Sequence, residues 1–241
     1  MNTRSKVDPA LIDDLVDANH ILYDQGVVDG FGHVSARHPE NPDCFLIARS
    51  MAPALVTAAD IVELNLDGNA THPNTPGSYL ERFIHSEVYR AREDVVAVVH
   101  SHSAGLIPFG AVKGAELKPI SHMGGYLGEG VALYEIRDAG GPNTDMLVRT
   151  PALGRALAES LGKHSIVLMR GHGATMVGTA SVRQAVYRAV YAEKNARLQM
   201  EALRLGEPVY LTAGEAKGAA LANDNNLDRA WQLWKRAVRK E

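Results

Sequence analysis

The stretch Val95-Val96-Ala97-Val98-Val99-His100-Ser101-His102 constrains the fold more than any other part of the chain. A short apolar run dominated by β-branched residues reads as a strand covered on both faces. Side chains alternate across a strand with period two, so His100 and His102 leave its end on one face. Two imidazoles projecting together are half of a metal site. They are also what a hydrogen-bonded histidine pair beside a loop looks like. A second run, Ser165-Ile166-Val167-Leu168-Met169-Arg170-Gly171-His172-Gly173, again ends in a histidine, here between glycines that allow close backbone approach. Three histidines at the ends of two buried strands form a facial set with positions open to substrate. No spacing rule links the two segments.

The remaining chain sets bounds. Its 241 residues fit one large domain, expected over residues 1–241 with a C-terminal helical extension from about residue 210. A net charge of −3 leaves no basic footprint for nucleic acid. No apolar run reaches membrane-spanning length, and Met1–Asp8 lacks the apolar core of a secretory leader. The single Cys44 excludes an internal disulfide framework and suits a reducing cytoplasm, where it reads as a small buried hydrophobe. The expectation is a cytoplasmic protein that binds neither nucleic acid nor membrane.

Local signals place the elements. Asp8 and Pro9 open a helix that ends near Gln25, before Gly26. Gly30–Arg37 reads as a glycine-hinged strand or loop, and Cys44–Ala48 and Ile61–Leu66 read as strands. Thr71–Ser78 is a loop on composition, and a helix follows over Leu80–Ala91. Thr150-Pro151 opens a helix closed by Gly162, and a long helix spans Ser181–Leu205. Gly105–Gly130 resists assignment, and the Ala/Gly/Asn-rich Gly214–Asn226 reads as mobile. A last helix over Leu227–Val238 carries Trp231 and Trp234, which read as packing or subunit contacts. Alternating strands and helices without a repeat give an α/β domain.

Glu81 stands at the start of the 80–91 helix, with His85 one turn later on the same face. An acid in a first helical turn is ordinarily there for the helix dipole. His85 reads as a satisfied helix histidine rather than a ligand.

Taken jointly, Gly32-His33-Val34-Ser35-Ala36-Arg37, Glu81-Arg82-Phe83-Ile84-His85, His100-Ser101-His102 and Gly171-His172-Gly173 resemble, in order and spacing, the class II aldolase/adducin family over about residues 8–210. The resemblance implies a three-layer α/β/α fold with a mainly antiparallel central sheet. It implies a cyclic homotetramer with active sites at subunit interfaces. It further implies a divalent metal on His100, His102 and His172, with Glu81 as the acid–base residue. Adducin-like members are binding modules without catalysis, a reading weakened by the complete histidine set and Glu81.

Two segments depart from the family's sugar-phosphate aldolases. Those enzymes usually carry Gly-Asn-x-Ser where this chain has Gly32-His33-Val34-Ser35. They carry a Thr-Pro-Ser-Gly-like phosphate loop where it has Ala48-Arg49-Ser50-Met51-Ala52-Pro53. Losing the small residues that cradle phosphate argues against a phosphosugar. Arg49 offers a planar fork for a carboxylate, or alternatively a structural ion pair.

These changes resemble the family's decarboxylase branch, which acts on hydroxylated aromatic or pyridine dicarboxylates. The expected reaction is metal-dependent decarboxylation of an ortho-hydroxy aromatic or pyridine carboxylate in a catabolic pathway. Mn²⁺ is favoured and Zn²⁺ comes second. Retro-aldol cleavage of a (phospho)sugar or hydroxy-ketone is the alternative. Glu81 and His33 are the expected catalytic residues, with Arg49, Ser50 and Ser78 on substrate. Tyr126 and Tyr210 are candidates reaching across a subunit boundary, with packing as their plainer role.

Overall fold

The structure is a computed structural model and describes residues 7–239; residues 1–6, read above for leader character, and 240–241 lie outside the described residues. Helix α1 (Pro9–Asp24) begins where expected, with the Asp8 carboxylate accepting the Ala10 N–H. Strands β1 (His33–Arg37), β2 (Cys44–Ala48) and β3 (Ile61–Asn65) precede α2 (Arg82–Ala91) and β4 (Ala97–Ser101). Then come α3 (Ile107–Ala111), β5 (Ala132–Tyr134), α4 (Ile136–Gly140), α5 (Pro151–Leu161), β6 (Ile166–Met169) and β7 (Gly173–Gly178). Helices α6 (Val182–Leu205), α7 (Ala213–Asp224) and α8 (Leu227–Arg239) finish the chain.

The seven strands form one sheet in the order β3-β2-β1-β4-β7-β6-β5. All neighbours are antiparallel except β5 and β6. Alternation along the central strands divides the core in two. Val99, Met176 and Leu168 pack with residues of α1, α6 and α8. Val98, Val177 and Val167 pack with residues of α2 and α5 on the other face. Each such aliphatic side chain contributes about 1.5–3 kcal/mol by leaving water. Burial on both faces is why the sequence around Val95–Val99 is apolar without interruption. The three-layer arrangement with a mainly antiparallel sheet agrees with expectation.

Three segments differ from the sequence reading. The second apolar run supplies β6 alone, and His172 stands in the tight turn between β6 and β7. Gly105–Gly130 contains α3 and a 3-10 stretch over His122–Glu129. Gly214–Asn226 is mostly α7, not a mobile loop. Thr212 and Glu215 form a reciprocal capping box at its start. Its small residues let it lie directly on Gly124–Gly128: a Cβ at Gly125 would press on the Ala216 carbonyl and the Ala219 methyl. Trp231 and Trp234 are buried in the α1/α6 layer, the packing role expected of them. Among the described residues, no helix is long and apolar enough to cross a membrane.

Candidate metal centre and active site

Strand register assembles the histidines. His100 pairs with His33 on β1 and with Thr175 on β7, while Ser101 pairs with Ala174. At Gly173 the β7 backbone approaches so closely that a Cβ would collide with the Ser101 carbonyl oxygen. Gly173 therefore sets how near the His172 turn comes to the end of β4. The result is a Nε2–Nε2 separation of 2.9 Å between His102 and His172.

Glu81 occupies the N-cap position of α2, and its side chain makes no capping bond but enters the same space. Its Oε2 lies 3.6 Å from Nε2 of both His100 and His172. One ligand atom from each of Glu81, His100, His102 and His172 falls within 4.8 Å of all the others. The arrangement thus brings together three histidines and an acid that sequence separates by up to 91 positions, from Glu81 to His172.

The loop before α5 holds this group in place, a contribution sequence reasoning missed. The Met146 carbonyl accepts from His172 Nδ1 at 3.0 Å, which leaves a neutral His172 with its lone pair on Nε2, facing His102. Two residues on, the Val148 N–H donates to Glu81 Oε1 at 2.9 Å. Met146 has φ +69°, a left-handed conformation costly for a side-chain-bearing residue. The Asn143-Thr144-Asp145 polar run is a turn signal, but nothing in it points to a carbonyl aimed at an imidazole.

Burial disfavours the charged forms of His100, His102 and Glu81. Burial lowers the basicity of His100 well below the ordinary histidine value, with further lowering from His33 and His172. His102 is lowered by burial and then by His172. The Glu81 carboxyl is pushed up by burial, which outweighs His172 and the Val148 N–H. His100 is fully buried, and neither of its ring nitrogens has a hydrogen-bond partner among the described residues. Such an imidazole is costly to bury unless a further group engages it. A divalent cation fits this donor set: neutral nitrogen lone pairs with a carboxylate at hand.

Beside the group lies a cavity of about 410 Å³. Its walls include Phe31, His33, Ser50, Tyr79, Glu81 and His102. The Tyr79 ring lies 4.5 Å from the His33 ring, and its hydroxyl donates to the Met51 carbonyl.

The other expected residues fall as follows. His33 and Ser50 line the cavity. Ser78 is one residue from Tyr79, and its Oγ is buried without a hydrogen-bond partner among the described residues. Arg49 uses Nε for an ion pair with Asp60 at 2.7 Å, so its plainer role is realised; its terminal nitrogens carry no bond to another described residue. Tyr126 requires correction. It is buried, and its hydroxyl donates to the Arg188 carbonyl of the same chain, which commits it to packing under α6. Tyr210 accepts from Gln199 Nε2 and lines a different cavity, with Lys118 and Ala216, away from the histidines of its own chain. His85 is satisfied on both nitrogens, by His33 and Ser35.

Residues 13–200 match the family described as the Class II Aldolase and Adducin N-terminal domain. Decarboxylase tropJ of Talaromyces stipitatus is 36% identical, over 91% of this chain and 90% of its own length. The 3,4-dihydroxyphthalate decarboxylase of Arthrobacter keyseri is 33% identical, over 78% of this chain and 77% of its own. An aldolase II superfamily protein from Pseudomonas syringae superposes with a TM-score of 0.81 at 25% identity, covering 98% of this chain and 96% of that one. The named relatives are carboxy-lyases, in keeping with the expected carbon–carbon lyase, and by sequence and fold the chain belongs to the class II aldolase and adducin family.

Proposed function

We propose that this carbon–carbon lyase removes carbon dioxide from an ortho-hydroxy aromatic or pyridine carboxylate. The observation that carries the reading is Glu81: a buried carboxyl, whose proton affinity burial raises, standing between three imidazoles and a cavity with aromatic walls. The tropJ and dihydroxyphthalate relatives, decarboxylases by name, support the same choice.

His100, His102 and His172 would hold the divalent cation, with Mn²⁺ favoured over Zn²⁺. When bound, it supplies Lewis-acid stabilisation of negative charge developing on a substrate oxygen. This chain's residues supply the rest. Phe31 and Tyr79 flank a planar ring and keep water from it. The terminal nitrogens of Arg49 hold a carboxylate, and Ser50 and Ser78 donate to it. His33 orients the ring substituents from the cavity wall. The Glu81 carboxyl gives its proton to the ring carbon that bears the carboxylate, while the ionised ortho oxygen takes up a double bond to the ring. The ring–carboxylate bond then breaks, carbon dioxide departs, and the electron pair left behind restores the aromatic ring and the negative charge on the ortho oxygen. Glu81 regains a proton from solvent before the next turnover.

Assembly as a homotetramer with sites at subunit boundaries, and a cytoplasmic location, belong to the same proposal. Phe31 and Leu80, both on the cavity wall, are 69% and 60% exposed in the single chain, as residues covered by a neighbouring subunit would be. Tyr210 would then serve the site of a neighbouring copy.

The test is product analysis on the metal-loaded full chain. A panel of ortho-hydroxy aromatic and pyridine dicarboxylates should release carbon dioxide and gain one ring proton. Release of a carbonyl fragment from a phosphosugar, without carbon dioxide from the panel, would instead establish the aldolase. Neither bound metal nor turnover would establish an adducin-like binding module.

A further inference from the structure

A string of buried polar groups runs from the cavity wall into the sheet-to-helix interface. His33 Nδ1 meets His85 Nε2 at 2.6 Å, and His85 Nδ1 meets Ser35 Oγ at 2.6 Å. Ser35 Oγ in turn meets the Tyr89 hydroxyl at 2.8 Å. All four side chains are buried, two from β1 and two from α2, one turn apart. The apolar layer that surrounds them has no need of such a string, and the candidate ligands do not use it.

Its polarity follows from its far end. Tyr89 is 1% exposed; among the described residues Ser35 Oγ is the acceptor within reach of its hydroxyl, because the Val98 backbone hydrogen bond favours the phenolate and so comes from a donor. The nearest charged group on the ring is the Arg37 guanidinium, 4.8 Å from its centre, which has only hydrogens to give. The Tyr89 hydrogen must therefore go to Ser35, because a buried hydroxyl that donates nowhere forfeits a hydrogen bond. Ser35 then donates to His85 Nδ1, which places the His85 hydrogen on Nε2, from where it is given to His33 Nδ1. A neutral His33 has one hydrogen, and it is left on Nε2. Reversing the string strands the Tyr89 hydrogen and disfavours that state by about tenfold or more. Burial alone pushes His85 down to about 3, so it stays neutral as the string requires.

We propose that Tyr89, Ser35 and His85 are positioning residues that lock His33 as the Nε2–H tautomer, so that His33 offers the cavity it lines a fixed N–H donor toward a substrate oxygen. The chemical role depends on the decarboxylase reading; the tautomer does not. A bare cavity-facing lone pair would repel a carboxylate, whereas a fixed donor is preorganised to accept one. The serine of Gly32-His33-Val34-Ser35 thus serves the histidine two residues before it on the same strand face.

The test is histidine ¹⁵N NMR on the full chain, uniformly labelled at histidine and loaded with diamagnetic Zn²⁺. The His33 signals are identified by their loss in His33→Asn. Wild-type His33 should show a protonated Nε2 and a bare Nδ1. Tyr89→Phe and Ser35→Ala should each lower the ratio of that tautomer to its alternative by about tenfold or more. Turnover should fall about tenfold, with bound zinc unchanged. Ser35→Ala removes a single oxygen and decides the matter should Tyr89→Phe not fold. A wild-type His33 protonated on Nδ1, or a ratio unmoved in the folded variants, overturns the inference. Absence of carbon dioxide release by the wild type would sink the decarboxylase reading while leaving the tautomer measurement decisive here.

Discussion

Glu81 Oε2 stands 3.6 Å from His172 Nε2, and the two residues are held by one loop: Val148 N–H on the acid and the Met146 carbonyl on the imidazole. The acid and the candidate ligand are therefore fixed relative to each other rather than to their own elements alone. Glu81→Gln keeps the side-chain shape and an oxygen for the Val148 N–H, but has no acidic proton to transfer. Carbon dioxide release should fall by about 10²–10⁴-fold, with metal content retained. Steady-state assays beside metal analysis check this, and a fully active Glu81→Gln would remove Glu81 from the chemistry.

Arg49 holds Asp60 through Nε, and its two terminal nitrogens have no bond to another described residue. Arg49→Lys keeps the charge and loses the planar fork. The expected outcome is a rise of about tenfold in KM for a dicarboxylate, with kcat and bound metal little changed. Equal kinetics would mean that Arg49 serves only the Asp60 pair.

Much of this arrangement was legible in the sequence because it rests on local chemistry. Val95–Val99 fixed a doubly covered strand, and Asp8-Pro9 and Thr150-Pro151 fixed helix starts. The features that escaped are long-range. Met146 reaches His172 across 26 positions, and the His33–His85 contact spans 52. Neither leaves a periodic trace. The misjudged Gly214–Asn226 segment shows the converse. Its glycines and asparagines weaken local helix preference, while its alanines, good helix formers, permit the close approach that buries Ala216 and Ala219 against Gly124–Gly128. Tyr126 misled for a related reason, since only the fold shows that its hydroxyl is spent on the Arg188 carbonyl.

Gly173 is required by contact distance rather than by backbone angle. Gly173→Ala should push β7 away from β4, lower stability by about 1–3 kcal/mol and reduce metal content, because the His172 turn moves with the strand. Gly218→Ala provides the contrast. It lies in α7 with open space around the added methyl, so it should be neutral or stabilising by up to about 1 kcal/mol. Urea unfolding and metal analysis of the pair separate a general glycine effect from this particular approach.

Buried His85 also makes a directional statement about acid. Its neighbours are His33, Ser35 and the Phe45 ring, with Tyr89 beyond Ser35, and burial lowers it to about 3. The unfolded chain takes up a proton at this histidine near pH 6.5, whereas the folded chain does not until about 3. Between those values the unfolded state holds more protons, so stability rises with pH. The penalty is absent above about pH 6.5 and grows as pH falls, approaching about 1.4 kcal/mol for each unit. Other buried histidines add their own slopes, so the informative quantity is the wild type compared with His85→Gln. Urea midpoints measured from pH 7.5 down to 5 should show the wild type losing stability faster than the variant. Parallel curves would mean that His85 gains its proton in the folded state as readily as in the unfolded one.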